Sequence, residues 1–151
     1  MIGKTLREMI VGRVSGVMNT SAPGAVQQNL SDPNAPGTRI LYTRRSETRD
    51  NYLGGGSGPS ETTFDVEVIS QDLEQVYIIA DRLKTLHGED YDSTTHGCEV
   101  LLTLVEDQSD DYFYRGIGED EATHATALDV SVIWRAKDQP PGAPPPPILP
   151  G

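Results

Sequence analysis

Two stretches in which apolar and polar residues alternate constrain what this chain can fold into. In Thr62 to Ser70, Phe64, Val66 and Val68 alternate with Asp65 and Glu67; in Thr123 to Arg135, Leu128, Val130, Val132 and Trp134 alternate with Asp129, Ser131 and Ile133. A period of two belongs to a strand with one buried and one wet face. Such strands need a layer to lie on their apolar side. The segment after the first of them supplies it. Leu73, Val76, Tyr77, Ala80 and Leu83 recur at helical spacing, and Ile79 and Leu86 broaden the stripe. Asp72 reads as the N-cap, with Gln75 at the capping-box distance, and Gly88 is a natural stop.

The remaining elements are read around these. Ile2, Leu6, Met9 and Ile10 fall on one side of a short helix and Lys4, Arg7 and Glu8 face away. Gly12 and Gly16 each cost about 1 kcal/mol relative to alanine, which sets the expected end near Val11. Thr38 to Ser46 reads as a strand, as does Cys98 to Val105. Asn19 to Gly37, rich in Ser, Pro, Gly and Asn, reads as one long loop, either an arm packed on a partner or a mobile segment. Glu47 to Glu61 contains Gly54, Gly55, Gly56 and Gly58 and reads as an irregular loop, as does Glu89 to Gly97. Acidic Glu106 to Glu121 joins the last two strands in an antiparallel hairpin. The expected fold class is therefore α+β, a four-stranded, mainly antiparallel sheet with two helices on one face, in the order α-β-β-α-β-β. One domain is expected over residues 1–138. Seven of the eleven prolines lie in 140–150, so 139–151 is expected to be a polyproline II or disordered tail.

Charge is unevenly placed. The net charge of -11 argues against a general nucleic-acid clamp. Residues 1–60 carry seven basic and four acidic side chains, a balance of +3, while residues 61–151 carry five and nineteen, a balance of -14. Halves of opposite sign attract copies of the chain to one another if they emerge on different faces; the alternative is plain solubilising charge. No apolar run approaches the roughly 18 residues of a membrane span, and no secretory h-region is evident, so a soluble, unexported protein is expected. The lone Cys98 excludes an intrachain disulfide and fits a reducing cytoplasm.

The candidates for chemistry are few. His87, His96 and His124 have no repeated ligand partner, and His96-Gly97-Cys98 lacks the further ligands that zinc requires. The glycines at 54–58 are followed by Pro59 and a strand, whereas a phosphate-binding loop opens a helix. Asp107, Asp110, Asp111, Glu119, Asp120 and Glu121 match no calcium-loop spacing. No nucleophile motif is present. No catalytic, cofactor-binding or metal residue is assigned, and the expectation is a protein that is not an enzyme.

Arg39 to Gly58 (RILYTRRSETRDNYLGGGSG), then Phe64 to Ile69 (FDVEVI), then the helix over 73–87, resemble the tail-completion and tail-terminator family of long-tailed bacteriophages. Asp111-Tyr112 and the strand over 127–135 fit the same plan. The likeness covers roughly residues 38–136; Asn19 to Gly37 and the proline tail depart from it. It implies a structural virion protein of the tail and neck, assembled in the bacterial cytoplasm. Subunits of that family form a hexameric ring that caps the tail tube, joins the head connector and lets DNA pass as cargo. The implied partners are other copies of the chain, the tube protein and the connector or neck proteins, with no membrane. The subunit-interface candidates are Arg44, Arg45, Arg49, Asp50, Tyr52, Asp107, Asp110, Asp111, Tyr112 and Arg115, the arginines meeting the carboxylates of a neighbour. The alternatives are another neck, head-completion or tube protein or, from a different class, a small ligand-binding or enzymatic α+β domain.

Overall fold

The computed structural model describes residues 2–22, 24–28, 37–51, 57–93, 97–107, 112–114 and 123–136. Helix α1 is Ile2–Val14 and α2 is Leu73–Lys84; the strands are β1 (Val26–Gln28), β2 (Arg39–Asn51), β3 (Ser57–Ser70), β4 (Tyr91–Asp92), β5 (Cys98–Asp107), β6 (Tyr112–Tyr114) and β7 (Thr123–Ala136). Among the described residues these strands form one mixed sheet. Six follow the order β1-β2-β3-β7-β5-β4, curled into a half-barrel, and β6 attaches to β7. The four-stranded sheet in the order α-β-β-α-β-β is thereby corrected: this fold is mostly sheet.

The difference lies in strands whose sequence shows no regular alternation. β1 lies inside the segment read as a loop and runs parallel to β2, Val26 opposite Ile40 and Gln28 opposite Tyr42. β2 and β3 both extend into the glycine-containing segment, paired out to Asn51 opposite Ser57. Ser46, Glu47 and Thr48 are all exposed there, so backbone pairing holds the strand without any alternation to read. β6 interrupts the acidic loop and β4 the loop before Cys98. The expected hairpin is present, with β5 antiparallel to β7 from Cys98 opposite Ala136 to Asp107 opposite Leu128. The tail expected over 139–151 lies outside the described residues.

One face of the sheet holds the core. Ile40, Tyr42, Phe64, Val66, Val68, Leu128, Val130 and Val132 are buried on it. α2 lies on β3, β7 and β5, and α1 packs against α2 and β1. The Tyr42 and Phe64 rings meet edge to face, with centroids 6.1 Å apart. α1 runs past Gly12 to Val14, which is fully buried. Burying a valine is worth roughly 1.5–3 kcal/mol, more than the roughly 1 kcal/mol that a helical glycine costs. The Asp72 side chain accepts from the Glu74 amide at 3.0 Å, the expected N-cap. Gln75 does not close a capping box; its side chain donates to the Val17 carbonyl and ties α2 to the end of α1. α2 stops at Lys84, three residues before the stretch expected to be helical ends, and the chain turns through Gly88 at φ +84°.

The two sides of the sheet end differently. On the β5 side, the Gly88 amide donates to the Thr103 carbonyl and the Val105 amide to His87 Nδ1, while the Ser93 amide bonds the Cys98 carbonyl. The outward groups of that strand are thus covered by the α2–β4 connection. On the other side β1 spans only residues 40–42 of the much longer β2.

Candidate functional site

The face turned away from the helices carries most of the charge that the fold organises. Register, not sequence proximity, assembles it. Asp65 of β3 lies directly opposite Asp129 of β7, and Asp129 is in turn opposite Glu106 of β5, so three carboxylates stand abreast across three strands. Neighbouring strands are about 4.8 Å apart, and like charges directly opposite one another repel. A cation answers them. Arg45 is the extra residue of a bulge between Arg44 and Ser46, and its guanidinium reaches Asp65 at 3.0 Å and Asp129 at 2.9 Å. Bulges re-aim a side chain, which is what brings an arginine from the next strand over this pair.

The rows on either side are milder. Thr63 and Ser131, opposite one another, share a hydroxyl hydrogen bond at 2.9 Å. Arg135 forks onto its cross-strand partner Glu99 at 2.7 and 2.8 Å. Glu61 and Glu67 stand on the same face of β3 as Asp65. The register of the described residues thus sets seven carboxylates on this face (Glu61, Asp65, Glu67, Asp92, Glu99, Glu106 and Asp129) against three arginines, Arg39, Arg45 and Arg135. It is an acidic, largely solvated surface.

The interface candidates divide between described and undescribed residues. Arg45 is committed within its own chain, and Asp107, at the end of β5, accepts Lys84 at 3.0 Å. Arg44 is exposed, and its guanidinium forms no ion pair with a described residue. Arg49 and Asp50 lie in the outer part of β2, with Arg49 paired to Ser60 through the backbone, and Tyr112 opens β6 opposite Ala125. Tyr52, Asp110, Asp111 and Arg115 lie outside the described residues. Sequence reasoning passed over Asp65 and Asp129. Their signal is faint: each is the polar member of an alternating strand, and only the register makes them neighbours.

Other reactive groups are engaged structurally. Cys98 is buried, and burial pushes its thiol up, partly offset by a hydrogen bond with Thr5, the opposite of what a nucleophilic thiolate needs. His87 is occupied by the Val105 amide. A shallow cleft of about 250 Å³ lies between α1 and the α2–β4 connection, lined by Glu8, Met9, Gly12, Arg13, Leu86, Glu89, Asp90 and Tyr91. Arg13 pairs there with Glu89, and Ser93 donates to Glu8 at 2.6 Å. Burial, and secondarily Glu8, raises the Tyr91 phenol above its ordinary range. Among the described residues no group of three His, Cys, Asp or Glu side chains is arranged to hold a metal ion, and no helix is long and apolar enough to cross a membrane. No protein-family model matches the chain, and no curated protein matches it either.

Proposed function

We propose that the chain is a structural subunit of a bacteriophage tail, a ring-forming terminator that caps the tube and joins it to the head connector. The proposal starts from the likeness of residues 38–136 to that family, and the observation that carries it is the carboxylate-rich open face of the sheet. A wall of fixed negative charge repels phosphate, so DNA slides past without sticking. In this reading the open face lines the passage. Ring closure then needs heterologous contacts between unlike surfaces of adjacent copies. The basic N-terminal part and the acidic remainder of the chain provide opposite signs for such a contact. Arg44, exposed and without an ion pair to a described residue, is available to take part.

Light-scattering mass of the full-length protein, alone and with tail tubes lacking their own terminator, followed by negative-stain imaging, tests this reading. A single closed ring, free or on the tube tip, is the expected result, and Arg44→Glu should weaken it and make it more salt-sensitive. Stacked rings would make the chain a tube protein. Failure to form rings in either setting rejects the proposal.

A further inference from the structure

Strand β5 brings an apolar patch to the open face of the sheet. Val100 turns inward with its partner Trp134, and Leu102 turns outward with its partner Ile133; Leu101, the extra residue of the bulge between them, is 37% exposed. Leu104, opposite Ser131, stands next along the same side of β5. Directly opposite residues share a face, so Leu102, Leu104 and Ile133 adjoin across two strands. Each is only partly buried, and none belongs to the core cluster or packs against it. Charges bound the patch on three sides. Glu61 lies opposite Ile133 on β3, the Glu99–Arg135 pair is one row toward the end of β7, and Glu106 with Asp129 is one row beyond Leu104. Apolar residues exposed singly are ordinary, whereas an adjoining group inside a charged rim marks a contact.

The chain holds a segment of matching chemistry and reach. β7 carries Ile133 and ends at Ala136, so residues 137–151, outside the described structure, start beside the patch. Residues 139–151 carry no charged side chain and include the apolar pair Ile148-Leu149. Their prolines have no amide N–H to give a sheet edge, so such a segment packs by its side chains, on a face. Length decides which part of the face. Pro141-Gly142 is a turn dipeptide. Lys137 to Pro141 reaches about 17 Å outward at roughly 3.3 Å per residue, and Ala143 to Ile148 returns about 19 Å at the roughly 3.1 Å of polyproline II. The two legs match, which brings Ile148 and Leu149 back to the level of Ile133 and Leu102. A polyproline segment is already extended, so docking it costs little chain entropy. We infer that the tail folds back over the open face and that Ile148 and Leu149 cover the leucine patch of their own chain. The carboxylate row of Asp65, Asp129 and Glu106 lies beyond the patch, so this contact neither rests on the ring reading nor competes with it.

Two measurements on the full-length protein test it. In nuclear magnetic resonance spectra, Ile148→Asp with Leu149→Asp should shift the amide signals of Leu101, Leu102 and Ile133 and leave those of Asp65 and Glu67, at the far end of the same face, in place. A disulfide trap reads the contact itself. In a Cys98→Ala background under oxidised glutathione, the pair Leu102→Cys and Leu149→Cys should close within one chain at least about tenfold faster than the pair Glu106→Cys and Leu149→Cys, because docking raises the effective concentration at residue 102 alone. Patch signals that ignore the tail variant overturn the inference. So does a trap that closes no faster at residue 102 than at residue 106, or one that closes only between chains, which would give the patch to a second copy.

Discussion

The face of the sheet beneath α1 and α2 and the face turned away from them are built by the same strands, yet they are held by different physics. Phe64 and Asp65 are adjacent in the chain. The first is fully buried against Tyr42, and the second stands in a row of carboxylates bridged by Arg45. On the covered side, stability comes from area removed from water and from shape. On the open side, pairs of opposite sign in a high-dielectric setting contribute little each and serve to keep like charges from splitting the strands. Position on the pleat, more than residue identity, therefore decides how much a substitution costs.

That contrast is open to test. Phe64→Ala should show the largest effect, a loss of roughly 3–5 kcal/mol by denaturant unfolding, because the cavity opens inside the buried cluster, on the strand between β2 and β7. A loss below that of open-face variants would undo the distinction. Next comes the polar chain that starts at buried Trp134, whose Nε1 donates to Thr62 Oγ1 at 2.9 Å, and ends at exposed Glu47, which accepts from Thr62 at 3.2 Å. Thr62→Val strands the indole N–H and should cost about 1–3 kcal/mol, whereas pairing it with Trp134→Phe should recover part of the loss. On the open face, Arg45→Met should cost only about 0.5–1 kcal/mol, more at low salt than at high, and Asp65→Asn in the same background should offset it. A salt-independent loss would mean that Arg45 acts through packing. The smallest effect is alkaline. Burial raises the Cys98 thiol above its ordinary value of 9.0 and the Tyr42 phenol above its ordinary value of 10.0. Both groups are neutral in the fold, so the stability they contribute is complete below those values and declines as pH rises through them. Cys98→Ala with Tyr42→Phe should flatten the fall in melting temperature between pH 9 and 11, and a curve unchanged by both would remove these groups as its cause.

What could be read from the chain follows the same division. α2, β3 and β7 were legible because each buries one regular stripe: Asp72 marks a start and Phe64, Val66 and Val68 mark a pleat. The outer half of β2 was not, because Ser46, Glu47 and Thr48 are exposed on both sides and nothing in their order distinguishes a paired strand from a loop. β1, β4 and β6 are three residues or fewer, too short to show a period. The open face was hidden for another reason. Asp65, Glu106 and Asp129 are far apart in sequence, and a shift of one residue in either ladder would place them on opposite sides of the sheet.

The place of β7 has a consequence for how the molecule comes into being. It is a central strand, flanked by β3 on one side and by β5 and β6 on the other, yet it is the last of the described strands in chain order. During synthesis the earlier strands emerge as two unconnected groups whose keystone has not been made. Long-range pairing of this kind is slow, and the waiting apolar faces are exposed to wrong partners. The sheet should therefore close only once residue 136 has been made, and a chain cut anywhere before that residue should yield insoluble material instead of a smaller folded domain.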